Sequence, residues 1–148
     1  LNKRYTQAIH CFKRADLHRE VKVCEAYLLR KEARSSVGVA LLNVQQRAFN
    51  TAADAFADCG AAATGKERHQ YYLTSADCYV RGGQDLKAAH TYLKAEEFEL
   101  AAKRYRKAGS FDRTLRVLTA HRAAISEKTA TDLQLVCRLH YCSRSNDQ

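Results

Sequence analysis

The chain has no proline and no tryptophan among its 148 residues, and only six glycines. Without proline nothing interrupts backbone hydrogen bonding inside a helix, and few glycines leave few places where the chain turns through a left-handed conformation. Alanine, leucine, lysine, arginine and glutamate, all good helix formers, dominate instead. No alternating strand pattern competes with them. Apolar runs last only a few residues, far short of the roughly 20 that span a bilayer, and the opening Leu1, Asn2, Lys3, Arg4 is no signal peptide. The expectation is an intracellular protein, of cytoplasm or nucleus, with no membrane partner.

Enzyme motifs are missing as well. There is no GxxxxGK phosphate loop, no GxGxxG, no GxSxG and no HExxH. Gly82 and Gly83 stand between two helical stretches and read as a turn, not a phosphate cradle. His69 with Glu67, and His121 with Asp112, pair an imidazole with a carboxylate but lack a third member to orient them. Six cysteines, at 11, 24, 59, 78, 137 and 142, form no CxxC pair. With no secretory context they read as thiols, and Cys59 occupies a small apolar slot of a helix. Cys137, His140 and Cys142 are the only tight ligand-like group, short of the four ligands that structural zinc takes. No catalytic residue, cofactor or metal is expected.

What the chain does have is a phrase repeated every 13 residues. Tyr79, Tyr92 and Tyr105 share one register, Ala76, Ala89 and Ala102 a second, and Ala95 and Ala108 a third. Leu86, Phe98 and Phe111 make a looser fourth, in which Leu86 stands one residue off the interval. Phe98, Ala101, Tyr105 and Ala108, at offsets 0, 3, 7 and 10, fall within an arc of about 80° on a helix and make one apolar stripe. Each alanine lets a neighbouring helix approach and each ring fills the hollow that results. The stripe recurs as Tyr5, Ala8, Phe12, Ala15, as Phe49, Ala52, Phe56, Cys59, and as Tyr72, Ser75, Tyr79, Gly82. Such self-similarity predicts an all-α solenoid of stacked antiparallel helix pairs. A solenoid that opens almost at once on its phrase, without methionine, is expected to be a piece of something longer.

Along the chain, helices are predicted over residues 2 to 15, from a cap at Asp16 to near Ser35, and from about Val39 to Cys59. A small-residue turn follows at 61 to 65, where Thr64 and Glu67 fit a capping box for a helix holding Tyr71, Tyr72, Cys78 and Tyr79. Gly82 and Gly83 close that helix, and Asp85 can cap the next, to Ala95. Glu96 and Glu97 place acid at the start of another, and Gly109 with Ser110 turns into a helix from Phe111 to about Ile125. Ser126 to Thr131 offers caps for a last helix through Cys142. The helical domain is expected over residues 1–142, with a polar, frayed tail at 143–148.

The formal net charge is +9. Residues 1–36 hold nine Lys or Arg against four Asp or Glu, whereas residues 37–84 balance at four against four. Many charges pair at i,i+4, as Glu99 with Lys103 and Asp112 with Arg116 do, which is how a solvated helix face looks. Tyr105 lies among Lys103, Arg104, Arg106 and Lys107, and Phe12 beside Lys13 and Arg14, an arrangement that in single-strand binders stacks bases. Both rings hold the packed position of the phrase, so they are expected in the core. What remains is a basic ridge of Lys13, Arg14, Arg106 and Lys107, at equivalent positions of two units, suited to steering an acidic partner.

The stretches YTQAIHCFKRADLHREVKVCEAYLLRKEARS, FNTAADAFADCG and KERHQYYLTSADCYVRGGQDLKAAHTYLKAEEFELAAKRYRKAGSFDRTLRVL resemble the tetratricopeptide (TPR)-like helical region of large fungal proteins related to the TPR and ankyrin repeat-containing protein. Those proteins carry a UvrD-like superfamily 1 helicase segment upstream of this region. The resemblance covers residues 4 to 141. It implies a TPR-like solenoid that serves as a non-catalytic accessory and interaction module, docking a protein or peptide partner or another domain of the parent chain. It imports no motor motif. A nucleic-acid-binding surface of the same helicase is the alternative, and similar helical phrases also occur in intraflagellar-transport and coatomer-like solenoids.

Overall fold

The computed structural model describes residues 2–14, 17–35 and 42–146, which form eight α-helices and no strand. In order these are α1 (Asn2–Arg14), α2 (His18–Ser35), α3 (Leu42–Ala62), α4 (Gly65–Arg81), α5 (Asp85–Lys94), α6 (Phe98–Lys107), α7 (Phe111–Ala120) and α8 (Glu127–Asn146), with a 3-10 turn at Arg122–Ala124. Among the described residues no helix is long and apolar enough to cross a membrane. The chain divides into two compact units, residues 1–84 with α1 to α4 and residues 85–148 with α5 to α8. Within each unit, helices that follow one another in sequence pack together, and in the second α6 also meets α8.

The interval of 13 residues is one helix and one turn. The helices α5, α6 and α7 each contain ten residues and begin at Asp85, Phe98 and Phe111. Three-residue turns separate them, and the same turn closes α4. In each turn a backbone N–H reaches back five residues to a tyrosine carbonyl: Gln84 to Tyr79, Glu97 to Tyr92, Ser110 to Tyr105, all at 2.9 Å. The preceding N–H reaches back three residues, as Gly83 to Val80, Glu96 to Leu93 and Gly109 to Arg106. This pair of bonds is the Schellman closure, which requires a left-handed residue just beyond the helix. Gly83, Glu96 and Gly109 hold that place, at φ +73°, +60° and +76°.

The stripe does what its spacing predicts in the helix middles. Ala76, Ala89 and Ala102 are fully buried, and Tyr79, Tyr92 and Tyr105 nearly so. In the first unit Phe49, Ala52, Phe56 and Cys59 of α3 are all buried, as are Tyr72, Ser75 and Tyr79 of α4. Two polar details fasten α3 to α4. The buried Ser75 hydroxyl donates to the Ala53 carbonyl at 2.7 Å, and the Tyr79 hydroxyl donates to the Asp54 carboxylate. Burial, and then that bond, push the Tyr79 phenol well above its ordinary range. Gly60 brings α3 against the Tyr72 ring, which lies 3.0 Å from where a Cβ would stand. Gly82, the last position of its phrase, is buried against Asn50, whose Nδ2 donates to the Gly82 carbonyl at 3.3 Å.

Several expectations need correction. Ala108 is exposed, because it is the C-cap of a ten-residue helix and the stripe runs out before it. Leu86 is 42% exposed, since the thirteenth-residue register belongs to Asp85, the partner in sequence of Phe98 and Phe111. Tyr5, Ala8 and Phe12 are only half-buried. The turn expected at 61 to 65 is shorter: α3 continues through Gly60 to Ala62, so that glycine serves close packing rather than a bend. Thr64 is an N-cap whose side chain makes no capping bond, and Asp85 is the first helical residue rather than a cap. The helix from Phe111 stops at Ala120, and Ile125 turns extended and buried. Residues 143–146 continue α8. Ala15, the Asp16 cap and the helix start at Val39 lie outside the described residues.

Candidate functional site

The four residues of the predicted ridge form two pairs, one in each unit. Lys13 and Arg14 end α1, exposed, with Lys13 Nζ 3.7 Å from Glu25 Oε1 of α2. Arg106 and Lys107 end α6, also exposed. Both pairs sit where cations complement the negative end of a helix dipole. Lys107 Nζ is 4.0 Å from Asp85 Oδ2, and Arg104 Nη1 donates to Asp85 Oδ1 at 3.2 Å. Asp85 thus pairs with two of the cations around Tyr105, the half-buried Arg104 and the still exposed Lys107, while Arg106 is exposed beside them.

Arg106 borders a groove of about 220 Å³ between α6 and α8, with Lys103, Asp132 and Thr129 on its rim and Leu133 and Val136 in its floor. The α8 end of this groove is fixed by Glu99 of α6. Its carboxylate accepts the Ser126 N–H at 3.1 Å, the Thr129 hydroxyl at 3.0 Å and Lys103 Nζ at 2.7 Å. A carboxylate at the start of a helix satisfies donors that have no partner within the helix. The Lys103 bond, then the Ser126 and Thr129 bonds, pull the Glu99 carboxyl down to about 2.

Tyr105 offers no stacking platform. It is 2% exposed, its ring meets His90 edge-on at 5.4 Å, and its hydroxyl lies 3.0 Å from His90 Nδ1. Arg113 Nη1 approaches His90 Nε2 at 2.7 Å. A guanidinium only donates, so Nε2 accepts and the neutral ring carries its proton on Nδ1. Burial, Arg113 and Lys94 together lower the His90 pKa. Two further imidazoles lie flat on rings, His121 on Phe98 at 3.7 Å and His140 on Phe111 at 4.0 Å.

In the first unit, a charged cluster emerges that the sequence did not announce. Arg30 and Arg34 of α2 and Arg81 of α4 line one small cavity, with Asp77 its single carboxylate and Phe49 and Cys78 in its wall. Arg30 and Arg34 are four apart and share a helix face, a signal that was legible. Nothing in the sequence ties them to Arg81, 47 positions beyond Arg34. Arg30 lies over the Tyr27 and Phe56 rings at 5.1 and 5.6 Å, and Arg81 over Phe49 at 5.6 Å. Ring faces hold a guanidinium in place without cancelling its charge.

The enclosed thiols are not activated. Burial raises the thiols of Cys59, Cys78 and Cys137, and three nearby arginines do not bring Cys78 back down. That is opposite to the activation of a reactive cysteine. Among the described residues no cluster of three or more His, Cys, Asp or Glu is placed to hold a metal ion. No family model, curated protein or solved structure matches the chain.

Proposed function

We propose that the chain is a non-catalytic helical-repeat scaffold, a TPR-like α-solenoid of stacked antiparallel helix pairs that docks a protein or peptide partner. The observation that carries this reading is the run of like units: α5, α6 and α7 are ten residues each, and α4, α5 and α6 are each closed by the same pair of hydrogen bonds behind a buried alanine and tyrosine. Units of that kind leave side chains between and beyond the helices free to contact a partner. The resemblance of the sequence to the helical region of UvrD-like helicase proteins supports an accessory place in such a parent chain, with its other domains among the partners. The net charge of +9 supports the second reading, a nucleic-acid accessory surface.

Crosslinking of the chain to its cellular partners, followed by mass spectrometry, tests the choice. A recurrent protein partner, weakened when Lys13, Arg14, Arg106 and Lys107 are changed to glutamate, is the expected result. Tight RNA or DNA binding that falls steeply with salt, with no protein partner recovered, would reverse it.

A further inference from the structure

We infer that the cavity of Arg30, Arg34 and Arg81 is a binding site for a single phosphate monoester, presented as a phosphorylated serine or threonine of a partner protein. Three arginines from two helices line the cavity and Asp77 is the one carboxylate among the described residues that line it, so the lining carries an excess of positive charge. Its volume of about 50 Å³ is far below the roughly 300 Å³ at which pockets begin to enclose cofactors and drug-sized molecules. It suits one small group. Guanidiniums are the side chains that grip a tetrahedral oxyanion through paired N–H donors, and clusters of them read phosphorylated motifs. Two of the three are already steadied on aromatic faces, so less side-chain freedom is lost when the anion arrives.

The geometry favours a protein phosphate over a nucleic-acid backbone. A single strand is held by a long basic track with open aromatic faces. Here the site is one compact cluster, and the rings beside it are occupied: Phe49 and Phe56 are buried, and both lie under arginines. A monoester also carries nearly two negative charges at neutral pH, against one for a backbone phosphodiester, and so gains more from three arginines.

The inference rests on the scaffold reading only in taking the phosphate to belong to a protein, and two arms of one experiment separate the two ideas. Thermal unfolding of the full chain in inorganic phosphate, with chloride at equal ionic strength as reference, measures the cavity itself. Fluorescence titration with a degenerate phosphoserine peptide library, its unphosphorylated counterpart and a single-stranded oligonucleotide measures the source. Phosphate should raise the unfolding temperature, and phosphopeptides should bind at least tenfold tighter than unphosphorylated ones. Arg34→Gln and Arg81→Gln, both at exposed positions whose loss leaves the core intact, should each reduce phosphopeptide affinity about tenfold. Arg81→Lys should recover little of it, since lysine keeps the charge and loses the fork. Absence of phosphate protection, or protection undiminished in these variants, overturns the site. Preference for the oligonucleotide overturns its assignment to a protein, even with the cavity confirmed.

Discussion

Gly109 and Glu96 occupy the same left-handed place in successive turns, so exchanging their residue types should move stability in opposite directions. A side chain at φ near +60° or +76° costs about 1–2 kcal/mol through crowding of its Cβ on the carbonyl. Glycine avoids that cost but gives up about 0.4–1 kcal/mol through the greater freedom of the unfolded chain. The net is about 1 kcal/mol in favour of glycine. At Gly109 no other group enters, because a Cβ there would meet nothing within 4 Å. Glu96 is exposed, so its removal disturbs no packing. Gly109→Ala should therefore lose about 1 kcal/mol and Glu96→Gly gain about as much. Urea unfolding followed by far-ultraviolet circular dichroism reads the difference. With a slope of about 1–2 kcal/mol/M, the midpoints should move by roughly 0.5–1 M to either side of the wild type. The two sites share no partner, so the double variant should return close to the original midpoint. Midpoints that shift in the same direction, or not at all, would refute the claim that these turns are set by backbone conformation.

Three other outcomes follow from the second unit. The Glu99 carboxyl is lowered from 4.5 to about 2, so its stabilisation is complete above about pH 4.5 and disappears as the pH falls toward 2. With a partly solvated side chain this amounts to about 1 kcal/mol, and Glu99→Gln should flatten the acid limb of a pH-stability curve by that much. His90, with its pKa lowered by burial, Arg113 and Lys94, favours folding above its ordinary 6.5 and loses that contribution as the pH drops below it. An NMR titration should place its midpoint under 6.5, and a midpoint above that value would contradict the Nδ1–H tautomer bonded to Tyr105 and Arg113. Ala102→Leu should cost about 1–3 kcal/mol by overpacking a fully buried site, whereas Ala108→Leu should change stability by less than about 0.5 kcal/mol.

The repeat was legible because it is written twice, once in the Ala–Tyr stripe and once in the turn residues that interrupt it. Periodicity alone places Tyr79, Tyr92 and Tyr105 in the core. Ala108 escaped because the phrase spans eleven positions and α6 has only ten, so a pattern read on a longer helix overshoots a short one. In the 21-residue α3 the same last position, Cys59, falls inside the helix and is buried. The helix end expected at Cys59 was misplaced for another reason: α3 runs on through Gly60 to Ala62, where the Tyr72 ring needs the missing Cβ. Of the arginine cavity only the Arg30 and Arg34 pair was legible, and its meeting with Arg81 was not. It depends on which faces of α2 and α4 meet, and that is decided by the helices' packing on α3 rather than by any local spacing.

The cysteines differ sharply in their access to solvent. Cys11 and Cys142 are exposed, one in each compact unit, while Cys59, Cys78 and Cys137 are enclosed and Cys24 is half-buried with a raised pKa. A maleimide dye or nitroxide applied briefly at neutral pH therefore has two ready attachment points and three silent ones. The native chain comes already equipped for a ruler across its two halves, and the silent thiols become a clock for unfolding when they begin to react.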